Sequence, residues 1–429
     1  MEKVAPIDLD SKLQPVKYEI AGTNKSSKVL VLDVEILEAT GREPYRGDVL
    51  IVGERFSHVG DVPNKETLLA DPSVRVSYGR GRTLMPGLGD AHTYFTWNGG
   101  DLDRLGTLGV EEHTLLTARS AECFLDSGYT MCFGAASPFL ANGQEMARRG
   151  GELVGGITAY ADGPEEMREV IREHIELGVD QVKLSMSGES ITETRDAEDC
   201  YFTLEDTAAC VDEAHKMNKR VCSHARARDS VQQSVDYGVD VIYHASYIDE
   251  KGMDSLEKKK SKIIVAPAIN WLVATLHDAV MFGYSTEKAE QGGYQRELDA
   301  ADLAIDYGFA WTPHGTYARE LSHFVERFDF TPHESIIAAT FGMAKLFMRS
   351  HEMGQIKVGK YADCLVVDGD PLKNITILQD HDLLNIIMIN GMVYKAGIGE
   401  YVIPTEGLTG IHSMTNEMSH MQVQRPILS

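Results

Sequence analysis

The residues of this chain best suited to holding a cation or moving a proton stand singly at the ends of short apolar runs. His92 follows Leu84-Met85-Pro86-Gly87-Leu88 in the segment Asp90-Ala91-His92-Thr93-Tyr94. Residues i and i+2 of a strand share a face, so His92 and Tyr94 are delivered to one place. Lys183 lies inside Gln181-Val182-Lys183-Leu184, where a charge is costly to bury without a partner. His224 ends Arg220-Val221-Cys222-Ser223, His244 ends Val241-Ile242-Tyr243, and Asp306 follows Ala304-Ile305. Neutral imidazole and carboxylate are ordinary ligands of zinc and similar divalent ions in open sites.

Each of these residues also has a plainer reading. A lone histidine at a strand end is more often structural than ligating, and a lysine at a sheet rim more often forms an ion pair. Kept from water, a lysine gives up its proton more readily, and its neutral amine adds CO2 to give a carbamate that bridges two metal ions. Recurrence on successive strands favours the chemical reading of the whole set. Arg226 and Arg228, just past His224, suit a substrate carboxylate gripped by two hydrogen bonds, or simply pair with nearby acids. His314, in Trp311-Thr312-Pro313-His314-Gly315, reads as a pocket residue or as a solvated loop histidine. His113, His174, His215, His277 and His351 fall in helical stretches and read as surface or packing residues. The pattern Gly-x-Ser-x-Gly occurs nowhere, and Gly188-Glu189-Ser190 does not complete it, which disfavours a serine hydrolase.

Elements able to position these side chains are legible in the middle of the chain. Glu165–Leu177, Thr207–Met217 and Ser230–Tyr237 carry helical periodicity, and between and after them Gln181–Leu184, Arg220–His224 and Val239–His244 read as strands. Strand and helix in repeated alternation predict an α/β fold of parallel βα units, at this length a TIM-type (β/α)8 barrel with its site at the carboxyl ends of the strands. Two intervals, between Phe133 and Leu140 and between His244 and Asp306, are short for complete units. They read either as trimmed units or as breaks in the numbered chain, and Ser285–Ala304 reads as mostly helical. Lys28–Leu37, Asp48–Val52 and Phe56–Val59 read as a β-meander near one end. Gly354–Asp368 reads as strand, turn and strand near the other, and Ile386–Tyr394 as a strand pair around Asn390-Gly391. The expected organisation is a small composite β-sandwich from residues 1–85 and 350–429, with a barrel over 86–349.

Composition narrows the partners. The chain has 429 residues, 43% hydrophobic and 25% charged, and 41 basic against 65 acidic residues give a net charge of −24. Such a charge repels nucleic acid and anionic membranes, neither of which is an expected partner. Cys123, Cys132, Cys200, Cys210, Cys222 and Cys364 form no CxxC pair and read as reduced thiols. Met1–Pro6 lacks the apolar core of a signal peptide, and Ile263–Leu276, broken by Pro267 and Asn270, is shorter than the roughly 20 residues a bilayer span needs. A cytoplasmic protein is expected.

The order His92, Lys183, His224, His244, Asp306 resembles the amidohydrolase superfamily, whose ligands stand on strands one, four, five, six and eight. "VKLSMSG", "HASY" and the stretch Gly354-Gln355-Ile356 to Ala362-Asp363 are most similar to the branch holding ochratoxinase-like amidases, prolidase-like enzymes and relatives of imidazolonepropionase. By that resemblance His92 and Asp306 hold one metal, His224 and His244 the other, and carboxylated Lys183 bridges them. The ion implied is Zn2+ or another divalent metal, one or two per chain, and homo-oligomers are common among relatives. The activity implied is hydrolysis of an amide or cyclic amide C–N bond, other than a peptide bond, in a small-molecule substrate (N-acyl amino acid-like or lactam-like) by an activated water, with Asp306 carrying the proton. The family's first strand usually ends Asp-x-His-x-His, and here Tyr94 replaces the second histidine. Three outcomes stay open: a single-metal site, a Tyr94 that ligates as phenolate or contacts substrate, or inactivation. A one-metal lyase or decarboxylase and a non-catalytic binding protein are the alternative functions.

Overall fold

The computed structural model describes residues 13–15, 27–97, 108–134, 145–147, 158–188, 196–266, 269–282 and 312–397. These fall in two compact units. The first joins Met1–Asp90, Glu122–Met131 and Gly315–Ser429, and the second joins Ala91–Ala121 and Cys132–His314.

In chain order the strands are β1 (Leu13–Pro15), β2 (Lys28–Ile36), β3 (Tyr45–Val52), β4 (Arg55–Gly60), β5 (Val74–Tyr78) and β6 (Thr83–Pro86). Next come β7 (Leu88–Thr93), β8 (Tyr129–Gly134), β9 (Glu145–Ala147), β10 (Thr158–Tyr160) and β11 (Gln181–Ser185). The series ends with β12 (Arg220–Ala225), β13 (Val241–His244), β14 (Ile264–Ala266), β15 (Cys364–Val367), β16 (Leu384–Ile389) and β17 (Met392–Gly397).

Both ends of the chain share one sheet in the first unit. Its order is β1-β17-β16-β15-β6-β2-β3-β4, with β5 also paired to β2. The near-continuous apolar run of β2 is buried on both faces, as such runs require. Val29, Val31, Val34 and Ile36 pack in one cluster, whereas Leu30 and Leu32 pack with Leu50, Val62 and Val74 in another. Asn390 and Gly391 have φ of 50° and 74°, the paired left-handed conformation of a tight hairpin turn between β16 and β17.

One expected strand is absent. Residues 354–360 form a loop rather than the first strand of a strand–turn–strand unit. Gly354 and Gly359, at φ of 80° and 88°, turn the chain twice. Lys360 then gathers the loop, its Nζ donating to the carbonyls of Ser350 (2.7 Å) and Met353 (3.2 Å) and to Gln355 Oε1 (2.7 Å). Ile356 still reaches the core beside Val31 and Ile36, which is why its apolar pattern resembled a strand.

The second unit carries the parallel βα pattern. Its six-stranded sheet runs β10-β9-β11-β12-β13-β14, with every neighbouring pair parallel. Helices Leu204–Lys216, Arg228–Tyr237 and Glu250–Lys259 connect β11 to β12, β12 to β13 and β13 to β14, and Pro164–Glu176 precedes β11. Strand order equals chain order from β11 to β14, the winding of a barrel, where a doubly wound sheet reverses at a switch point. Thr203 starts the first of these helices with a capping box, its Oγ1 accepting from Asp206 N while the Asp206 carboxylate accepts from Thr203 N. Val182, Leu184, Val221, Ala225 and Ile242 pack in one core with Ile171, Val211, Ala214, Val231 and Val235 of the helices. β7 and β8 form a separate pair. The short interval after Phe133, the stretch Ser285–Ala304 and the last barrel strand around Asp306 lie outside the described residues. Among the described residues no helix is long and apolar enough to cross a membrane.

Candidate functional site

The pleat of the parallel sheet separates two sets of side chains. In β11 and β12, Lys183 is in register with Cys222 and Ser185 with His224; in β12 and β13, His224 is in register with Tyr243. Partners in register share a face, so Lys183, Ser185, Cys222, His224 and Tyr243 lie opposite the helix-packed residues. Strict alternation would send His244, in register with Ala225, to the helix side. Instead His244 and Ala245 adopt φ of 74° and 55°, left-handed values that are strained for residues with a Cβ. The break re-aims the His244 ring, which meets His224 edge-on with centroids 4.4 Å apart.

A chain of hydrogen bonds fixes the protons of this pair. The Gly188 carbonyl can only accept, so His224 donates to it through Nε2–H at 3.3 Å. Burial, then the Arg226 guanidinium, holds both imidazoles well below their ordinary pKa, so each carries one proton at neutral pH. His224 Nδ1 must therefore accept, and His244 donates to it through Nε2–H at 2.9 Å. That leaves His244 Nδ1 as a bare lone pair, fully buried and with no hydrogen-bond partner among the described residues. Leaving such an atom unsatisfied costs about 1–3 kcal/mol.

His92 completes the group from β7. Its ring stacks on Tyr243, centroids 4.3 Å apart and planes 8° from parallel, and its centroid is 5.2 Å from that of His244. Lys183 Nζ and Tyr94 Oη each lie 3.0 Å from His92 Nε2. With that nitrogen accepting, the His92 proton sits on Nδ1. Tyr94 is buried and stacks on Trp97 at 3.9 Å. His314 is buried as well, in place of the solvated loop position that was one reading of it. Its Nε2–H donates to the Trp97 carbonyl at 2.7 Å, and burial pulls its pKa down to about 4, so it is a neutral support for the Tyr94–Trp97 turn.

The two arginines diverge. Arg226 is fully buried, with Nη1 donating to Ser246 Oγ at 3.3 Å and the guanidinium 5.4 Å from the Trp271 ring centroid. Arg228 points outward and pairs with Asp229 at 2.8 Å, away from the histidines. Asp306 lies outside the described residues.

The structure thus brings together His92, Tyr94, Lys183, His224 and His244, and adds Tyr243, Trp97 and the Gly188 carbonyl. Of these additions only Tyr243 left a trace in the sequence, one residue before His244 and therefore on the His224 face. Imidazole donors suit a divalent ion, and the unpartnered His244 Nδ1 is the kind of atom a metal satisfies. Among the described residues, however, no three His, Cys, Asp or Glu side chains are grouped so that they could hold a metal ion.

Known proteins share this framework. An ochratoxinase of Aspergillus niger is 26% identical over 457 aligned positions, covering 93% of this chain and 93% of that protein. A solved amidohydrolase superposes with a TM-score of 0.75 at 22% identity, over 87% of this chain and all of its own. A prolidase complexed with N-methylphosphonate-L-proline gives 0.74 at 21% identity, over 86% and 100%. These likenesses make the fold that of the amidohydrolases, an α/β barrel of the TIM type. Residues 83–393 match the Amidohydrolase family over most of the chain, and the chain belongs to that family.

Proposed function

We propose that the chain hydrolyses an amide or cyclic amide C–N bond of a small molecule, with His92, Lys183, His224, His244 and Asp306 supporting one or two divalent cations, zinc foremost. The observation that carries the reading is His244 Nδ1, an unshared lone pair fully buried beside two further imidazoles and a lysine amine. A divalent cation held there lowers the pKa of a water and polarises a carbonyl.

The chain's own residues supply the rest. Carboxylation of Lys183, by bond formation between Nζ and CO2 with loss of one proton, would replace its donor with two anionic oxygens. Burial, then the Arg226 guanidinium, keeps His224 and His244 uncharged. Asp306 is assigned the proton: it would take one from the attacking water and return it to the leaving nitrogen. Tyr243 and Trp97 wall His92 and Tyr94 with aromatic surface. The likeness to an ochratoxinase supports an amide in the substrate.

Chelator-treated protein, assayed against N-acyl amino acids, dipeptides and lactams before and after zinc is restored, tests the reading. Free amine that appears only after restoration is expected. Amine release indifferent to metal, or absent on every substrate with metal present, overturns it.

A further inference from the structure

The lone pair of an imidazole nitrogen lies in the plane of the ring, so whatever sets the plane of His92 also sets where its Nε2 points. Tyr94 Oη and Lys183 Nζ each stand 3.0 Å from that nitrogen. Contacts at a single atom leave the tilt of a ring open. The face is held from β13, where Tyr243 lies against His92 with centroids 4.3 Å apart and planes 8° from parallel. Tyr243 can fix a plane because it is itself fixed. It is fully buried, and its backbone is in register with His224 on one side and Ala266 on the other, so it stands inside the parallel sheet and not at its edge. The same ring reaches Lys183, whose Nζ is 5.1 Å from its centroid. One phenol thus borders both the imidazole and the amine bonded to it.

From this geometry we infer that Tyr243 is a positioning residue, which holds the His92 ring in the plane that aims Nε2 at Lys183 and Tyr94. Its hold on the ring needs no cation. Its effect on turnover rests on the hydrolase reading above, in which His92 belongs to the site and must stay within about 0.5 Å of its working position.

The experiment separates the ring from the rate. Full-length protein carrying histidine labelled with 13C at Cε1 is treated with chelator, and the His92 signal is identified among those of the 15 histidines by its loss in His92→Gln. A phenol face shifts protons stacked on it upfield. An upfield His92 Cε1–H is expected in the native protein and in Tyr243→Phe, which keeps the aromatic face, and a downfield move is expected in Tyr243→Leu, which removes it. With zinc restored, kcat/KM for an amide that the native protein hydrolyses should fall about 10-fold in Tyr243→Leu, and Tyr243→Phe should recover most of that loss. A native signal that is not upfield, or one that stays put in a folded Tyr243→Leu, overturns the inference. So does a signal that moves with no loss of turnover. A native protein that releases no amine from any substrate overturns the hydrolase reading instead, and the His92 signal alone then decides whether Tyr243 holds the ring. Should Tyr243→Leu fail to fold, the native signal decides in the same way.

Discussion

At the scale of single residues, the site is a matter of which nitrogen holds a proton. Gly188, a carbonyl with one possible role, sets His224, and His224 sets His244, so a backbone oxygen decides that His244 exposes Nδ1 to the interior. A histidine pattern in a sequence carries no such information, because both tautomers are spelled with the same letter. The assignment has a direct consequence. His244→Ala should retain the fold and lose bound zinc, with kcat/KM for a good amide substrate falling at least about 100-fold. Elemental analysis of the purified variant checks it, and an unchanged zinc content would show that His244 is not a ligand.

At the scale of elements, one hairpin turn in the mixed sheet carries stability that can be measured apart from the site. Gly391 holds φ of 74°, and a Cβ there would come within 2.1 Å of the Gly53 carbonyl oxygen. Gly391→Ala combines backbone strain with a clash against backbone, so a loss of about 2 kcal/mol or more is expected in chemical denaturation. Beside the same hairpin, Asp363 is buried and accepts the Asn390 N–H at 2.6 Å. Burial raises its pKa from 3.8 to about 6, against the opposing pull of that hydrogen bond. The sign follows: between those values the folded chain binds the extra proton, so this carboxyl's contribution is full below 3.8 and is lost as pH rises through about 6. Asp363→Asn keeps an acceptor for Asn390 and removes the charge. Its Tm should therefore gain on the native protein as pH rises across that window and hold a constant lead above it. Parallel Tm curves at all pH values would refute the assignment.

At the scale of the whole molecule, the net charge of −24 sets behaviour that no single contact does. Native protein should pass unretained through a heparin column at low salt, and retention would reveal a local basic surface that the total conceals. All the candidate residues that the structure places, from His92 to His314, fall in the unit built from Ala91–Ala121 and Cys132–His314. The sequence alone determined the repeating βα order of that unit, because period-2 and period-3.6 apolar patterns follow from which faces are buried, and those are local. It also determined which residue types end the strands. Tertiary structure decided the rest. The left-handed backbone at His244 turns a side chain that alternation assigns to the helices. Glycine turns and a caged lysine make a loop of a segment with a strand's apolar spacing. The hydrogen bond joining Lys183 to His92 links residues far apart in the chain. Each depends on groups brought together only by folding, and a one-dimensional pattern records periodicity and chemical type but not the partner across the sheet.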